Sequence, residues 1–166
     1  FVDSASSRDD KIFCVDIKKM QLVILDTSGK EIGTISKFGH KPAEFNGISN
    51  ITIGPAGVIY VLERKKFYTS KIETYHIYLK RYLQDGTFLG RIRVPGEASK
   101  EYLDNTFQDI AAGPDGSVYL AESNADKKFG RVIRYLPAYY KPQGKTGRIV
   151  GKIKGVKSEE MKYMTV

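Results

Sequence analysis

Tryptophan is absent, cysteine occurs once and histidine twice in the 166 residues of this chain. A single cysteine excludes an internal disulfide framework and a cysteine-rich zinc site, and says little about redox compartment. Cys14 lies in Ile12-Phe13-Cys14-Val15 with no His or Lys beside it to activate a thiolate, so it reads as a small buried packing residue. Long apolar runs are missing as well. The longest, such as Val58 to Leu62, fall far short of the roughly 18 residues that a membrane-spanning helix needs. No Gly-rich phosphate loop, Walker sequence, nucleophile elbow or His-rich zinc motif is present. Little asks for a helix; only Glu97 to Asp104 could form a turn or two. Phe1-Val2-Asp3 shows neither an initiator Met nor a leader, so any signal peptide is expected to have been removed or to lie outside this sequence.

What is there is 41% hydrophobic and 28% charged residues, with 27 Lys and Arg against 19 Asp and Glu for a net charge of +8. That is the balance of a globular, mildly basic chain, neither a disordered polyelectrolyte nor a membrane protein. Sixteen glycines and eleven tyrosines are distributed with a period. Asn50-Ile51-Thr52-Ile53-Gly54-Pro55-Ala56-Gly57-Val58-Ile59-Tyr60-Val61-Leu62-Glu63 is echoed by Asp109-Ile110-Ala111-Ala112-Gly113-Pro114-Asp115-Gly116-Ser117-Val118-Tyr119-Leu120-Ala121-Glu122, with six of fourteen positions identical. A weaker copy runs from Lys11 to Asp16. A second motif follows each copy, at Gly29 to Ile35, Gly86 to Ile92 and Gly147 to Ile153. Such internal repetition governs the fold.

Each unit reads as four short antiparallel strands, a to d. In the middle unit, strand a spans about 48–53, strand b runs from Val58 to Glu63, strand c from His76 to Leu83 and strand d from Phe88 to Val94. Gly and Pro at fixed offsets mark the turns between runs rich in Ile, Val, Tyr and Phe. A single four-stranded sheet has two faces to cover and needs neighbours, and a propeller of blades packed face to face is the economical solution. Phe13, Tyr60 and Tyr119 at one strand position, and Ile35, Ile92 and Ile153 at another, are expected in the core between blades.

The strand pattern, the Asp-Gly or Ser-Gly turn and the Pro42-Ala43-Glu44-Phe45 segment that follows strand d resemble the NHL repeat. The resemblance is clearest over 11–63 and 108–122. It implies an all-β chain of NHL-like β-propeller blades, about three in number: blade 1 at about 1–39, blade 2 at about 45–96 and blade 3 at about 107–155, with 156–166 leading into a further blade. Insertions at 64–75, 96–106 and 138–145 stretch the repeat to nearly 60 residues, against roughly 40 to 45 for a typical four-stranded blade. Closed propellers hold roughly 4 to 8 blades. Three blades are therefore about half of one, completed by a longer polypeptide or by self-assembly of two chains.

In a meander the b–c and d–a connections share one face of the ring, and rigidly mounted loops are where binding usually resides. That face collects the candidate binding residues His40, Lys41, Arg64, Lys65, Lys66, Lys71, Lys127 and Lys128, joined by Lys18, Lys19 and Lys37. The expected function is a non-catalytic scaffold that displays loops to a protein or another anionic macromolecule. Phe67, Tyr68, Tyr75 and Phe129 among the charges would also suit stacking on unpaired bases, and some members of the resembled family bind RNA on such a face. A further alternative is part of a metal-dependent propeller lyase or lactonase whose site lies mainly outside these residues, since only His40 and His76 are on offer here. Asp16, Glu63 and Glu122 recur at the end of strand b, which points to a structural carboxylate accepting N–H groups of the b–c loop. No cofactor and no metal is implied. Asn50-Ile51-Thr52 matches a glycosylation sequon but falls on an inner strand. Bacterial propellers of the resembled kind are often exported, which implies an extracytoplasmic location.

Overall fold

The computed structural model describes residues 3–68, 73–94, 105–124 and 129–135, with the backbone alone for 65–68, 73–75, 105, 106, 108, 124 and 129. Every regular element within them is a strand. The first sheet orders β1 (Ser4–Ser6), β2 (Ile12–Asp16), β3 (Gln21–Leu25) and β4 (Glu31–Ile35) as a simple meander. The second repeats it with β5 (Ile48–Ile53), β6 (Ile59–Tyr68), β7 (Glu73–Tyr82) and β8 (Phe88–Arg93). In the third, β9 (Asn105–Ala112), β10 (Val118–Asn124) and β11 (Phe129–Tyr135) are described. All pairings within the sheets are antiparallel. The expected strand at Gly147 to Ile153, the helical turn near Glu97 and the lead-in at 156–166 lie outside the described residues.

Turn chemistry sets each reversal. In Gly54-Pro55-Ala56-Gly57 the proline supplies the φ of the first central position, and Gly57 closes the turn at φ 74° with its N–H donated to the Gly54 carbonyl at 2.9 Å. Gly113 to Gly116 repeats this, with Gly116 at φ 79° and a 3.0 Å bond to Gly113. Between β2 and β3 the Asp16 carboxylate accepts from the Lys18 and Lys19 N–H groups at 3.0 and 3.1 Å, and Met20 takes a left-handed conformation at φ 51°. The expected role of Asp16 is thus met.

Alternation along β6 explains how the sheets stack. Ile59 and Val61 point to one side and join Phe13, Val15, Leu22, Ile35, Phe45, Ile48, Ile51 and Tyr82 in a buried cluster against the first sheet. Tyr60 and Leu62 point to the other, into a second cluster with Leu79, Ile110, Val118 and Leu120 of the second and third sheets. The middle sheet is covered on both faces, which is why its strand b is a continuous apolar run. Each such fully buried side chain contributes about 1.5–3 kcal/mol relative to exposure. Phe13 and Tyr60 are in the core as expected, whereas Tyr119, on the outward face of the third sheet, is only half-buried. Ile92 departs from the expectation: it sits on the outer strand β8 and is exposed.

First strands lie next to one another, β5 touching both β1 and β9. There the Asp3 carboxylate reaches across from the first sheet and accepts the Ile51 N–H at 2.7 Å.

Candidate functional site

The connection from β4 to β5, residues 36–47, is held by its own backbone. Ser36 turns the chain out of β4 at φ 64°, and its hydroxyl donates to the Ala43 carbonyl. Phe38 and Phe45 form a bridge, with the Gly39 N–H donating to Phe45 O and the Phe45 N–H to Lys37 O, each at 2.9 Å. At the tip the Lys41 N–H donates to the Glu44 carboxylate at 3.0 Å. That bond, with the charges of Lys41 and Lys37 nearby, holds the Glu44 carboxyl below the usual carboxylate range.

The bridge sorts its two aromatics. Phe45 is fully buried, while Phe38 stands 58% exposed with the His40 ring edge-on to it at 5.9 Å. The Asn46 amide donates to His40 Nδ1 at 3.1 Å and fixes the imidazole beside it. Gly47 then brings the loop against β6. At φ 118° its backbone runs so close to Arg64 that a Cβ there would lie 2.2 Å from the Arg64 carbonyl oxygen, and the Arg64 N–H donates to Gly47 O at 2.8 Å. The 36–47 connection, with exposed Phe38 and its neighbours His40 and Lys41 on its surface, is thereby joined to β6 at Arg64 through the backbone.

Beneath that surface lies a buried ion pair. The Glu63 and Lys80 side chains are 0% and 1% exposed, with Nζ 2.8 Å from Oε2. Glu63 Oε1 accepts the Asn46 N–H at 2.7 Å, and Oε2 takes no hydrogen bond beyond the ion contact. The Lys80 ammonium also donates to the Glu44 carbonyl and stands 5.2 Å from the centre of the Phe45 ring. The Tyr82 hydroxyl donates to Ala43 O at 2.9 Å; burial first, and then the Glu63 charge, push its pKa well above the ordinary phenol value. Three side chains of the second sheet thus grip the 43–46 backbone from below.

This corrects the expected role of Glu63. The b–c turn of the middle sheet is remote from Glu63, because β6 and β7 stay paired without a shift out to Tyr68 and Glu73. The carboxylate accordingly serves the preceding connection. The Glu122 carboxylate pairs with the Arg131 guanidinium on the neighbouring strand, and the b–c loop at 125–128 that was expected to donate to it lies outside the described residues. The basic cluster is also relocated: Arg64, Lys65 and Lys66 lie on β6, opposite Ile77, His76 and Tyr75 of β7, in a two-stranded ribbon where the sequence reads as a loop. Backbone N–H and C=O groups that would need solvent in a loop pair with each other here. Lys71, Lys127 and Lys128 lie outside the described residues.

Among the described residues no three His, Cys, Asp or Glu side chains converge as a metal set, and no helix is long and apolar enough to cross a membrane. At the opposite end of the sheets, Asp9, Lys11, Ala56, Gly57, Leu83, Gln84 and Asp85 line a cleft of about 400 Å³ between the turns of the first two sheets.

No curated protein matches the sequence. Among solved structures, one titled "Streptogramin B lyase structure" is similar with a TM-score of 0.35 and 14% identity. The match covers 83% of this chain and 55% of that one, so this chain spans about half the length of that structure. DUF5128, described as a 6-bladed beta-propeller, matches residues 2–141. With three antiparallel sheets stacked face to face over the same residues, the chain belongs to this 6-bladed β-propeller family.

Proposed function

We propose that this chain is a non-catalytic recognition platform, in which NHL-like blades hold a basic, aromatic-edged surface toward an acidic protein partner. The observation that supports the reading is the backbone joining of the 36–47 connection to β6 at Arg64, with exposed Phe38 edge-on to His40 and Lys41 at the tip. Lys65 and Lys66 follow Arg64 on β6, and Lys71, Lys127 and Lys128 are assigned to the same surface from the sequence alone. The physical logic is display. The Glu63–Lys80 pair and Tyr82 fix the 43–46 backbone, so the groups above it need little ordering on binding and the entropic cost of association falls. An exposed aromatic amid cations suits carboxylate-bearing segments that also carry apolar side chains. The resemblance to exported propellers supports a location outside the cytoplasm for this recognition.

Fluorescence anisotropy with a labelled glutamate-rich peptide, and in parallel a single-stranded RNA, tests the reading. The peptide is expected to bind, and Arg64→Glu, Lys65→Glu and Lys66→Glu together should weaken it by about 10-fold or more while the circular dichroism spectrum stays unchanged. Peptide affinity unmoved by the triple reversal would refute the basic surface. Preference for the RNA, with affinity falling steeply as salt rises, would replace the protein partner with nucleic acid.

A further inference from the structure

The a–b turns of the three sheets share one hydrogen-bond pattern, which aligns them residue by residue. The Ser7 N–H donates to Lys11 O at 2.8 Å, the Gly54 N–H to Val58 O at 2.9 Å and the Gly113 N–H to Ser117 O at 2.7 Å. Asp10, Gly57 and Gly116 take the left-handed position of each turn, at φ 55°, 74° and 79°. Asp9, Ala56 and Asp115 are therefore equivalent, as are Lys11, Val58 and Ser117. The matching strand c residues are Ile24, Arg81 and Arg134, which pair with Phe13, Tyr60 and Tyr119.

In the third sheet these positions satisfy one another. Asp115 accepts from the Arg134 guanidinium at 2.5 Å, and Arg134 Nε donates to Ser117 Oγ at 3.0 Å. The first sheet keeps the acid and loses the arginine. Ile24 stands in its place, and the Asp9 carboxylate has no hydrogen bond or ion pair among the described residues. Asp9 lines, with Lys11, the cleft of about 400 Å³ between the first two sheets, a volume within the roughly 300–1,000 Å³ of small-ligand sites. The c–d turn of the second sheet forms its other wall. Asp85 presents a carboxylate that also accepts the Thr87 N–H at 2.8 Å, and Leu83 is 38% exposed. Gln84 Oε1 is buried and accepts no hydrogen bond, and the amide is seated against Gly57, where a Cβ would lie 2.8 Å from Nε2. At the next junction Ala56 and Val58 hold the positions of Asp9 and Lys11, so this charged wall is not part of the repeat.

Those groups define a complement. Two carboxylates and an amide oxygen accept, one ammonium donates, and the lining carries one net negative charge. A buried acceptor without a donor is costly, and a ligand N–H supplies one. A carboxylate answers Lys11, two cationic donors answer Asp9 and Asp85, and an aliphatic stem covers Leu83.

We propose that this cleft binds a free basic amino acid, its α-ammonium and side-chain cation held by Asp9 and Asp85 and its α-carboxylate by Lys11. The site is at the opposite end of the sheets from the recognition surface and does not depend on it.

Amide NMR of the isotope-labelled 166-residue chain, titrated with L-lysine and L-arginine, tests this. Saturable shifts are expected at the Asp9, Gly57 and Asp85 amides below about 20 mM ligand. Asp9→Asn should weaken binding about 10-fold or more. Lys11→Gln should abolish the preference for L-arginine over L-argininamide, which lacks the carboxylate. Both changes are in a surface turn, and unmoved resonances from the sheet cores report retained folding. The absence of saturable shifts at these amides overturns the proposal, as does binding insensitive to Asp9→Asn. L-Leucine binding as tightly as L-lysine, or a parent chain that does not distinguish L-arginine from its amide, overturns it as well.

Discussion

Replacing Lys80 by methionine is the sharpest perturbation the structure offers. Methionine nearly preserves the volume and removes the ammonium, so Glu63 is left buried with only the Asn46 N–H at 2.7 Å, and the Glu44 carbonyl loses its donor. Breaking a buried pair by removing one partner costs about 3–5 kcal/mol, because the remaining charge is uncompensated. For a chain of this size each kcal/mol moves the melting temperature by roughly 2–4 °C, so a fall of about 6–20 °C is expected. Glu63→Gln combined with Lys80→Met removes both charges, and this double variant should recover most of the loss, since an apolar or neutral replacement of a buried pair is often neutral or stabilising. Differential scanning calorimetry of the parent, both single variants and the double variant gives the coupling directly. A Lys80→Met shift below about 2 °C, equivalent to less than about 1 kcal/mol, would refute the assignment of the pair as buried and mutually dependent. So would a double variant as unstable as the sum of the singles.

Two other outcomes follow from the local geometry. Gly47→Ala places a Cβ 2.2 Å from the Arg64 carbonyl oxygen at a φ of 118°; it should cost about 1–3 kcal/mol in urea unfolding, and a neutral result would remove the close approach. The Asp26, Asp85 and Asp115 carboxyls are held below their ordinary values, by hydrogen bonds from Ser28, Thr87 and Ser117 respectively in the first place. Groups lowered in the folded state stabilise it above their unfolded pKa and lose that contribution as pH falls through the folded one. The melting temperature should therefore drop below about pH 4. Asn at all three positions accepts hydrogen bonds without titrating and should flatten that drop; an unchanged slope would count against these turns as its source.

The strand order was legible because glycine and proline recur at fixed offsets, so Gly54-Pro55 and Gly113-Pro114 announce the same reversal twice. The inward sets Phe13 and Tyr60 followed from the period of two. Lys80 was hidden by its chemistry. A lysine inside Tyr78-Leu79-Lys80-Arg81-Tyr82 reads as solvent-facing, and only the register, in which it opposes Val61, turns it inward toward Glu63. Fixing strand c against strand b before assigning faces would have exposed it. The ribbon was missed because Arg64-Lys65-Lys66 breaks the apolar alternation that marks a strand, although backbone pairing continues through it. Of the proposed surface, the loop residues His40 and Lys41 were legible from their place after strand d. Their attachment to Arg64 through Gly47 depends on a contact between elements that no local pattern encodes.

The unshifted pairing of β6 with β7, from Ile59 with Tyr82 out to Tyr68 with Glu73, has a consequence for length change. Residues can be added to or taken from the tip in opposed couples without disturbing a single rung nearer the core. Two couples restore the original sidedness, and one couple alone reverses it for whatever lies beyond. The ribbon is thus a ruler with steps of fixed parity: grafted sequences of even strand increment keep their displayed side, and odd ones present the opposite side to the same partner.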